Sequence, residues 1–408
     1  MTAGSEVNLE RIESARRALR GIVQPTPLIR SRFLSEQTGG QVFLKAENLQ
    51  RTGSFKIRGA YYRMLRLTDD ERSRGVIAAS AGNHAQGVAW AAGKLGIRAT
   101  IVMPETAAIA KVEATRAYGA EVLLHGNHFD EAMTLALEIC RTEGRILIHA
   151  FDDPDVIAGQ GTLALELLEE LKEMDYVLVP IGGGGLLAGM GTVLKSLCPH
   201  IRLIGVESRY SNSMYRSLQE GKPISGESGA TLADGLAVKY PSERTLKLAQ
   251  RVVDDIVVVE EEDIPHAILF LLERARLVVE GAGAVGVAAL LSGRVKISGN
   301  GIAVLTGGNI DVNRIARVIE HGLASEGRFL RLKLRLADRP GSLQALLKAV
   351  ADLGANVLSV EHDRLHPGVP VGMARVTLLV EARNHGHSLE IREHLKQQGY
   401  RLEEKGNC

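Results

Sequence analysis

The regular exchange of short apolar runs for segments of helical period restricts this chain more than any other feature. Apolar runs at 75–79, 99–103, 121–124, 176–180 and 202–206 are separated by segments of helical spacing at 84–95, 111–118, 129–141, 161–172 and 186–197, with the alanines and Trp90 of the first turned inward. Strands separated by helices long enough to cross back over them call for parallel sheets covered on both faces, an α/β architecture. The units before and after Phe151 together exceed what one small sheet would hold, so two sheets are expected. Ahead of them a helix over residues 6–20 ends at Gly21, Pro25 and Pro27 force an extended entry, and a strand is expected at 42–45.

A different pattern begins at Arg328. Residues 329–336 alternate apolar and basic side chains strictly, which reads as a strand with one buried face and one wet face carrying Arg331, Lys333 and Arg335. A turn at 338–342 supplies Ser342 as the cap of a helix whose Leu343, Leu346, Leu347, Val350 and Leu353 share a face, and Gly354 stops it. A strand at 356–362, a loop with Pro367 and Pro370, a strand at 373–381, a helix at 388–398 and a last strand near 400–402 complete a βαββαβ order, the ferredoxin-like plan. The expected domains are 1–322, a linker at 323–327, and 328–408; the first divides into a small lobe at about 53–147 and a larger lobe made of 1–52 and 148–322.

Composition excludes several classes of function. A formal net charge of +1 over 408 residues gives no electrostatic reason for nucleic acid or an anionic membrane as partner. The N-terminal residues lack the basic segment and apolar run of a leader, and the apolar stretch 268–291 is broken by Glu273, Arg274, Arg276 and Glu280, so neither export nor a membrane span is expected. Cys140, Cys198 and Cys408 are scattered without metal spacing and read as reduced thiols of a cytoplasmic protein. His125, His128, His385 and His387 have no partner at ligand spacing, and no metal site is expected.

Four stretches carry chemistry. Residues 181–189 follow a buried strand and open a helix with Gly182, Gly183, Gly184 and Gly185, where free amides beside a close backbone make a phosphate cradle. Residues 183–188 also fit a dinucleotide fingerprint with Glu207 as the ribose acid, so a nicotinamide-dependent oxidoreductase stands as the rival reading. Ser80-Ala81-Gly82-Asn83-His84 and Thr306-Gly307-Gly308-Asn309 each lie just past a buried strand, where open α/β sheets place their ligand crevice. In the first, Ser80 and the amides of 81–84 could hold a carboxylate and Asn83 a ring hydroxyl, against a reading of plain helix capping; in the second, Thr306 could face a ring nitrogen, against simple turn chemistry. Lys56 stands between a Gly/Ser turn and a helix, where a lysine that loses its proton is an amine nucleophile; Lys45, Lys94 and Lys111 have equal claim on composition alone.

The run 54–60, the Ser-Ala-Gly-Asn-His-Ala-Gln-Gly at 80–87, the tetraglycine at 182–185 and the Thr-Gly-Gly-Asn at 306–309, in that order, resemble the threonine ammonia-lyases (threonine dehydratases) over roughly residues 6–322. That resemblance implies a pyridoxal-phosphate enzyme of fold type II, the tryptophan synthase β-like fold. It gives Lys56 to the Schiff base, Phe55 to the pyridine face, Asn83 to the ring hydroxyl, Gly182, Gly183, Gly184, Gly185 and Leu186 to the phosphate, and Thr306 to the ring nitrogen. It further assigns Ser80, Ala81, Gly82, Asn83 and His84 to the substrate, and implies β-elimination of L-threonine to 2-oxobutanoate and ammonia, and of L-serine to pyruvate.

Serine racemases and serine dehydratases share the fold. Ala81, where a racemase carries serine, argues against racemisation, and Ser213 in place of an aspartate argues against the racemase-type metal site. Residues 328–402 resemble a single ACT domain on Asp338-Arg339-Pro340-Gly341 and Gly354-Ala355-Asn356. This implies an amino-acid effector such as isoleucine or valine near Asp338, Gly341 and Asn356, a place in amino-acid metabolism such as isoleucine biosynthesis, and a homo-oligomer, dimer or tetramer.

Overall fold

The computed structural model describes residues 6–403 apart from 297 and 366. The chain divides into two compact units, Met1–Val312 and Asn313–Cys408.

Among the described residues the first unit holds ten strands: β1 (Leu28–Ser31), β2 (Gln41–Lys45), β3 (Val76–Ala79), β4 (Ala99–Met103), β5 (Glu121–Leu124), β6 (Ile146–Leu147), β7 (Tyr176–Pro180), β8 (Arg202–Ser208), β9 (Asp255–Val259) and β10 (Asn300–Val304). They form two sheets, as the alternation requires. One is wholly parallel in the order β5-β4-β3-β6; the other runs β1-β2-β10-β7-β8-β9 and is parallel except where β1 lies antiparallel on β2. The central strands β3 and β4 are buried along their whole length, which is why they read as unbroken apolar runs.

Sequence periodicity misses β1, β6, β9 and, among the helices, Arg32–Thr38, Asp69–Arg74, Ser213–Glu220 and Glu243–Val252. β1 has four residues, of which Ser31 alone is buried, and it exists through its pairing with β2, from Leu28 opposite Lys45 to Ser31 opposite Val42. Ser31 then turns its hydroxyl to the Leu34 amide and starts the next helix. The helix expected from 161 starts instead at Pro154, because Asp153 accepts from the amides of Asp155 and Val156 and proline is preorganised for the first turn. That helix, Pro154–Glu170, packs against Lys56–Leu65 at glycine distance: a Cβ on Gly59 would lie 2.5 Å from the Val156 carbonyl, and one on Gly159 would lie 2.6 Å from that of Arg58. Gly87 does the same for Asn83–Leu95, where a Cβ would lie 3.3 Å from that of Lys56.

The apolar stretch from Ile268 is broken as expected. The helix Asp263–Phe270 passes into a π-turn at Leu271–Ala275, Arg276 takes a left-handed φ of 61°, and Gly281–Leu291 is a separate helix. No described helix is long and apolar enough to cross a membrane.

The second unit takes in most of the helix Val312–Ser325, then β11 (Phe329–Ala337), the helix Ser342–Ala351, β12 (Asn356–Asp363), β13 (Met373–Glu381) and the helix His385–Gln397. The strands form an antiparallel sheet ordered β11-β13-β12. Leu330, Leu332, Leu334 and Leu336 of β11 are buried with Leu346, Val350, Ile391 and Leu395, while Arg331, Lys333 and Arg335 stay wet. The last expected strand is reduced to a single bridge between Leu402 and Leu334, on the free side of β11. Gly341, at φ 86°, occupies the cap position expected for Ser342, which is the helix's first residue. Cys140 and Cys198 are free thiols; Cys408 lies outside the described residues.

Candidate active site

Two loops some 250 positions apart in sequence interlock to place Lys56. The Phe55 amide donates to the Thr306 carbonyl at 3.2 Å, the Gly308 amide to the Gly53 carbonyl at 2.9 Å, and the Asn309 side-chain amide to the Thr52 carbonyl at 2.7 Å, with Ser54 bridged to Gly307. Gly53 must be glycine: its φ is +70°, and a Cβ there would run into the Asn309 side chain. The chain leaves this clasp as a helix whose first residue is Lys56.

The Lys56 amine donates to the Ala150 carbonyl at 3.1 Å and lies 5.2 Å from the centre of the buried Phe55 ring. Burial pulls its pKa down to about 8, while the charge of Glu280 holds it up. The other lysines are excluded by their partners or exposure. Lys45 is fully buried but sits 2.8 Å from Glu170 and 3.3 Å from Glu166, Lys111 pairs with Asp234 at 3.3 Å, and Lys94 is exposed. Lys45 belongs to a buried ionic cluster in which Arg58 binds Glu47 and Glu166. This cluster ties the Lys56 helix to the segment after β2 and to the Pro154–Glu170 helix.

The 80–84 stretch opens the helix Asn83–Leu95. Ser80 accepts from the Gly82 amide at 3.2 Å, so its hydroxyl serves the local turn, and the Gly82 cap has no side-chain bond. Asn83 accepts from Asn309 at 2.7 Å and donates to Glu280 at 2.5 Å. His84 is buried; burial first, then the charge of Lys56, draws its pKa down to about 3. The ring is therefore neutral and donates from Nε2 to the Ile148 carbonyl at 2.7 Å, which leaves Nδ1 as a buried acceptor without a partner. Ser54 Oγ is likewise buried and unpartnered.

The tetraglycine run lies between β7 and the helix Gly185–Leu197. Among the described residues the amides of 182–187 donate to no protein acceptor. A side chain would be crowded at each of the four glycines, most severely at Gly183 and Gly184. A Cβ on Gly182 would lie 3.2 Å from Leu236, one on Gly183 would enter the Phe151 ring, Gly184 has φ +86°, and one on Gly185 would lie 3.0 Å from Phe151. Because Ala150 takes the Lys56 hydrogen bond and Phe151 covers Gly183, two adjacent residues join the lysine to the glycine cradle.

Glu207 does not offer itself to a ribose. It is fully buried, accepts from the Met214 amide at 3.0 Å and the Tyr215 amide at 2.7 Å, and burial raises its pKa to about 8 against those bonds. Among the described residues no three His, Cys, Asp or Glu side chains converge on a metal position. Glu280, which periodicity reads only as a charge breaking an apolar stretch, is a site residue that the sequence reading passes over. The signal that could have found it is an acid standing immediately before the Gly/Ala-rich helix Gly281–Leu291.

In the second unit a cavity of about 890 Å³ is lined by Arg335, Arg339, Gly341, Ser342, Tyr400 and Arg401 among others. Of the residues expected near an effector, Gly341 lines it, Asp338 is paired with Arg364 at 2.8 Å, and Asn356 bonds Glu381 at 3.3 Å.

With this geometry in place, the comparisons fix the class. Residues 19–307 match the family described as pyridoxal-phosphate dependent enzyme, and the chain belongs to that family. It is an enzyme, and pyridoxal phosphate is its cofactor. The chain is 50% identical over 397 residues to an L-threonine ammonia-lyase of Thermotoga maritima, covering 97% of this chain and 99% of that one. A catabolic L-threonine dehydratase of Staphylococcus aureus is 47% identical over 322 residues, 78% of this chain and 93% of that one. Among solved structures, threonine deaminase isoform 2 of Solanum lycopersicum superposes with a TM-score of 0.72 at 38% identity, over 78% of this chain and 90% of that one. Maize serine racemase does so at 0.73 and 34%, over 79% and 99%. The crowded glycines, the free amides beside them and the unpartnered Ser54 and His84 atoms fit such a cofactor.

Proposed function

We propose that this enzyme is a threonine ammonia-lyase, converting L-threonine to 2-oxobutanoate and ammonia and, by the same steps, L-serine to pyruvate. The observation that carries the proposal is the half-buried Lys56 amine beside the glycine cradle, with no carboxylate within ion-pair distance among the described residues and a pKa drawn down to about 8. The near-full-length likeness to proteins named L-threonine ammonia-lyase supports the choice of substrate.

In this reading the amides of Gly182, Gly183, Gly184, Gly185 and Leu186 hold the phosphate, Phe55 flanks the ring, Asn83 faces the ring hydroxyl and Thr306 the ring nitrogen. A hydroxyl at that nitrogen, unlike a carboxylate, does not favour a protonated ring. Ser80 and the amides of Ala81, Gly82, Asn83 and His84 receive the substrate carboxylate at the helix start. When bound, pyridoxal phosphate supplies the electron sink for charge left at the substrate α-carbon. Lys56, neutral in a large fraction of molecules near its pKa, takes the α-proton as general base, a task worth about 10²–10⁴ in rate. The β-hydroxyl leaves as water, and hydrolysis releases the oxo acid and ammonia.

Racemisation is the second reading, favoured by the likeness to maize serine racemase. It needs an acid on the opposite face of the substrate, and Ala81 has no proton to give. We read the second unit as an ACT domain with isoleucine or valine as effector; its strand order and its arginine-lined cavity support this.

The deciding experiment adds L-threonine to the purified holoenzyme and follows the cofactor's visible absorption together with 2-oxobutanoate. A spectral shift with product formation supports the reading; a requirement for a nicotinamide cofactor, or D-serine as the main product from L-serine, overturns it.

A further inference from the structure

The reaction described above leaves the Glu280 carboxyl without a task. It is buried, at 5% exposure, and although it stands at the cap position of Gly281–Leu291 its side chain makes no capping bond. Oε1 instead accepts from Asn83 Nδ2 at 2.5 Å, and no lysine or arginine lies within ion-pair distance among the described residues. The Gly307 backbone closes over this bond: a Cβ there would lie 2.8 Å from Asn83 Nδ2 and closer still to Oε1. The charged groups that face Glu280 are Asp234 of the short turn Asp234–Leu236, Lys111 of the helix Ile109–Ala117, and Lys56.

The hydrogen bonds around Asn83 have only one consistent direction. The Thr52 carbonyl can only accept, so Asn309 must present Nδ2 to it, and the same Nδ2 donates to Asn83 Oδ1. Asn83 must therefore turn Nδ2 to Glu280, and a flipped amide would set oxygen against carboxylate. Glu280 takes one of the two Nδ2 hydrogens and leaves the other uncommitted.

We infer that Glu280 is a positioning residue for the cofactor ring: it locks the Asn83 amide with one N–H left for a ring oxygen. The same carboxylate acts through its charge on the Lys56 amine. The inference rests on the functional reading, which puts Asn83 at the ring hydroxyl. Burial, then Asp234, raises the Glu280 pKa to about 7, against the bond from Asn83 and the charges of Lys111 and Lys56, so the carboxyl gains its charge as pH rises through neutrality. Glu280 and Lys56 thus titrate in the same range, each biasing the other.

Two variants separate the roles. Glu280→Gln keeps an oxygen for Asn83 and loses the charge; Glu280→Ala loses both. The Lys56 amine of the apoenzyme is read by its acylation rate against pH, followed at the Lys56 peptide by mass spectrometry. Cofactor affinity is read by titrating apoenzyme with pyridoxal phosphate. The wild-type acylation midpoint is expected near 8. Glu280→Gln should lower it by about half a unit, roughly a threefold faster labelling below the midpoint, with cofactor affinity kept within about threefold. Glu280→Ala should weaken cofactor binding by about tenfold or more. An unchanged midpoint in Glu280→Gln, or wild-type cofactor affinity in Glu280→Ala, overturns the inference. A wild-type chain that takes up no pyridoxal phosphate would instead overturn the functional reading, which keeps the two failures apart.

Discussion

Lys45 is fully buried and Lys56 half-buried, and the difference between their partners shows what makes a lysine reactive. Lys45 has two carboxylates at 2.8 and 3.3 Å, so its ammonium is stabilised, whereas Lys56 has a carbonyl and an aromatic ring, and burial works against its charge. Lys56→Ala is expected to abolish turnover and covalent cofactor attachment while leaving the urea unfolding midpoint near that of the wild-type apoenzyme. Removing one member of the buried cluster acts the other way: Arg58→Ala leaves Glu47 buried without its cation and should cost about 3–5 kcal/mol in urea unfolding. His84 supplies a pH signature. Its folded pKa of about 3 lies below the unfolded value of about 6.5, so the unfolded chain binds the extra proton, and stability is full above pH 6.5 and falls as pH drops towards 3. The loss should run at about 1.4 kcal/mol per pH unit below 6, and His84→Gln, which keeps a donor for the Ile148 carbonyl, should flatten that part of the curve.

At the scale of elements, Lys56 is held by loops rather than by the sheet itself. The clasp between 52–55 and 306–309 was legible only as two separate motifs, because a hydrogen bond from Gly308 to Gly53 leaves no trace in the periodicity of either segment. Long buried strands such as β4 announce themselves in the sequence, while β1 and β6 exist through their partners. Glu280 was hidden for a related reason: the sequence shows it only as a charge interrupting an apolar stretch, and the fold shows its side chain turned away from the following helix and onto Asn83. Gly183→Ala is expected to abolish cofactor uptake in the same titration, since its methyl and the Phe151 ring claim one space, yet to fold, because the half-buried 149–153 segment can give way. Arg276→Gly should go the other way and stabilise by about 1 kcal/mol, since its φ of 61° is left-handed and glycine pays no Cβ cost there.

At the scale of the molecule, the two units carry separable tasks in the proposed reading. The pyridoxal-phosphate family match spans residues 19–307, and the Staphylococcus aureus dehydratase aligns over 93% of its own length with 78% of this chain. A chain cut after Ser325, at the end of its helix, is therefore expected to bind pyridoxal phosphate and turn over L-threonine. The second unit buries its own leucine core and carries an open pocket of about 890 Å³, inside the range of small-molecule pockets at roughly 300–1,000 Å³. Arg339 and Arg401 on its wall are suited to an effector carboxylate, and neither belongs to the catalytic unit. In the full chain, Arg339→Ala with Arg401→Ala should leave threonine turnover without effector intact and abolish the response to isoleucine or valine, as measured by initial rates across an effector titration. If the double variant and the cut chain both respond as the wild type does, the effector acts on the catalytic unit, and the second unit needs another explanation.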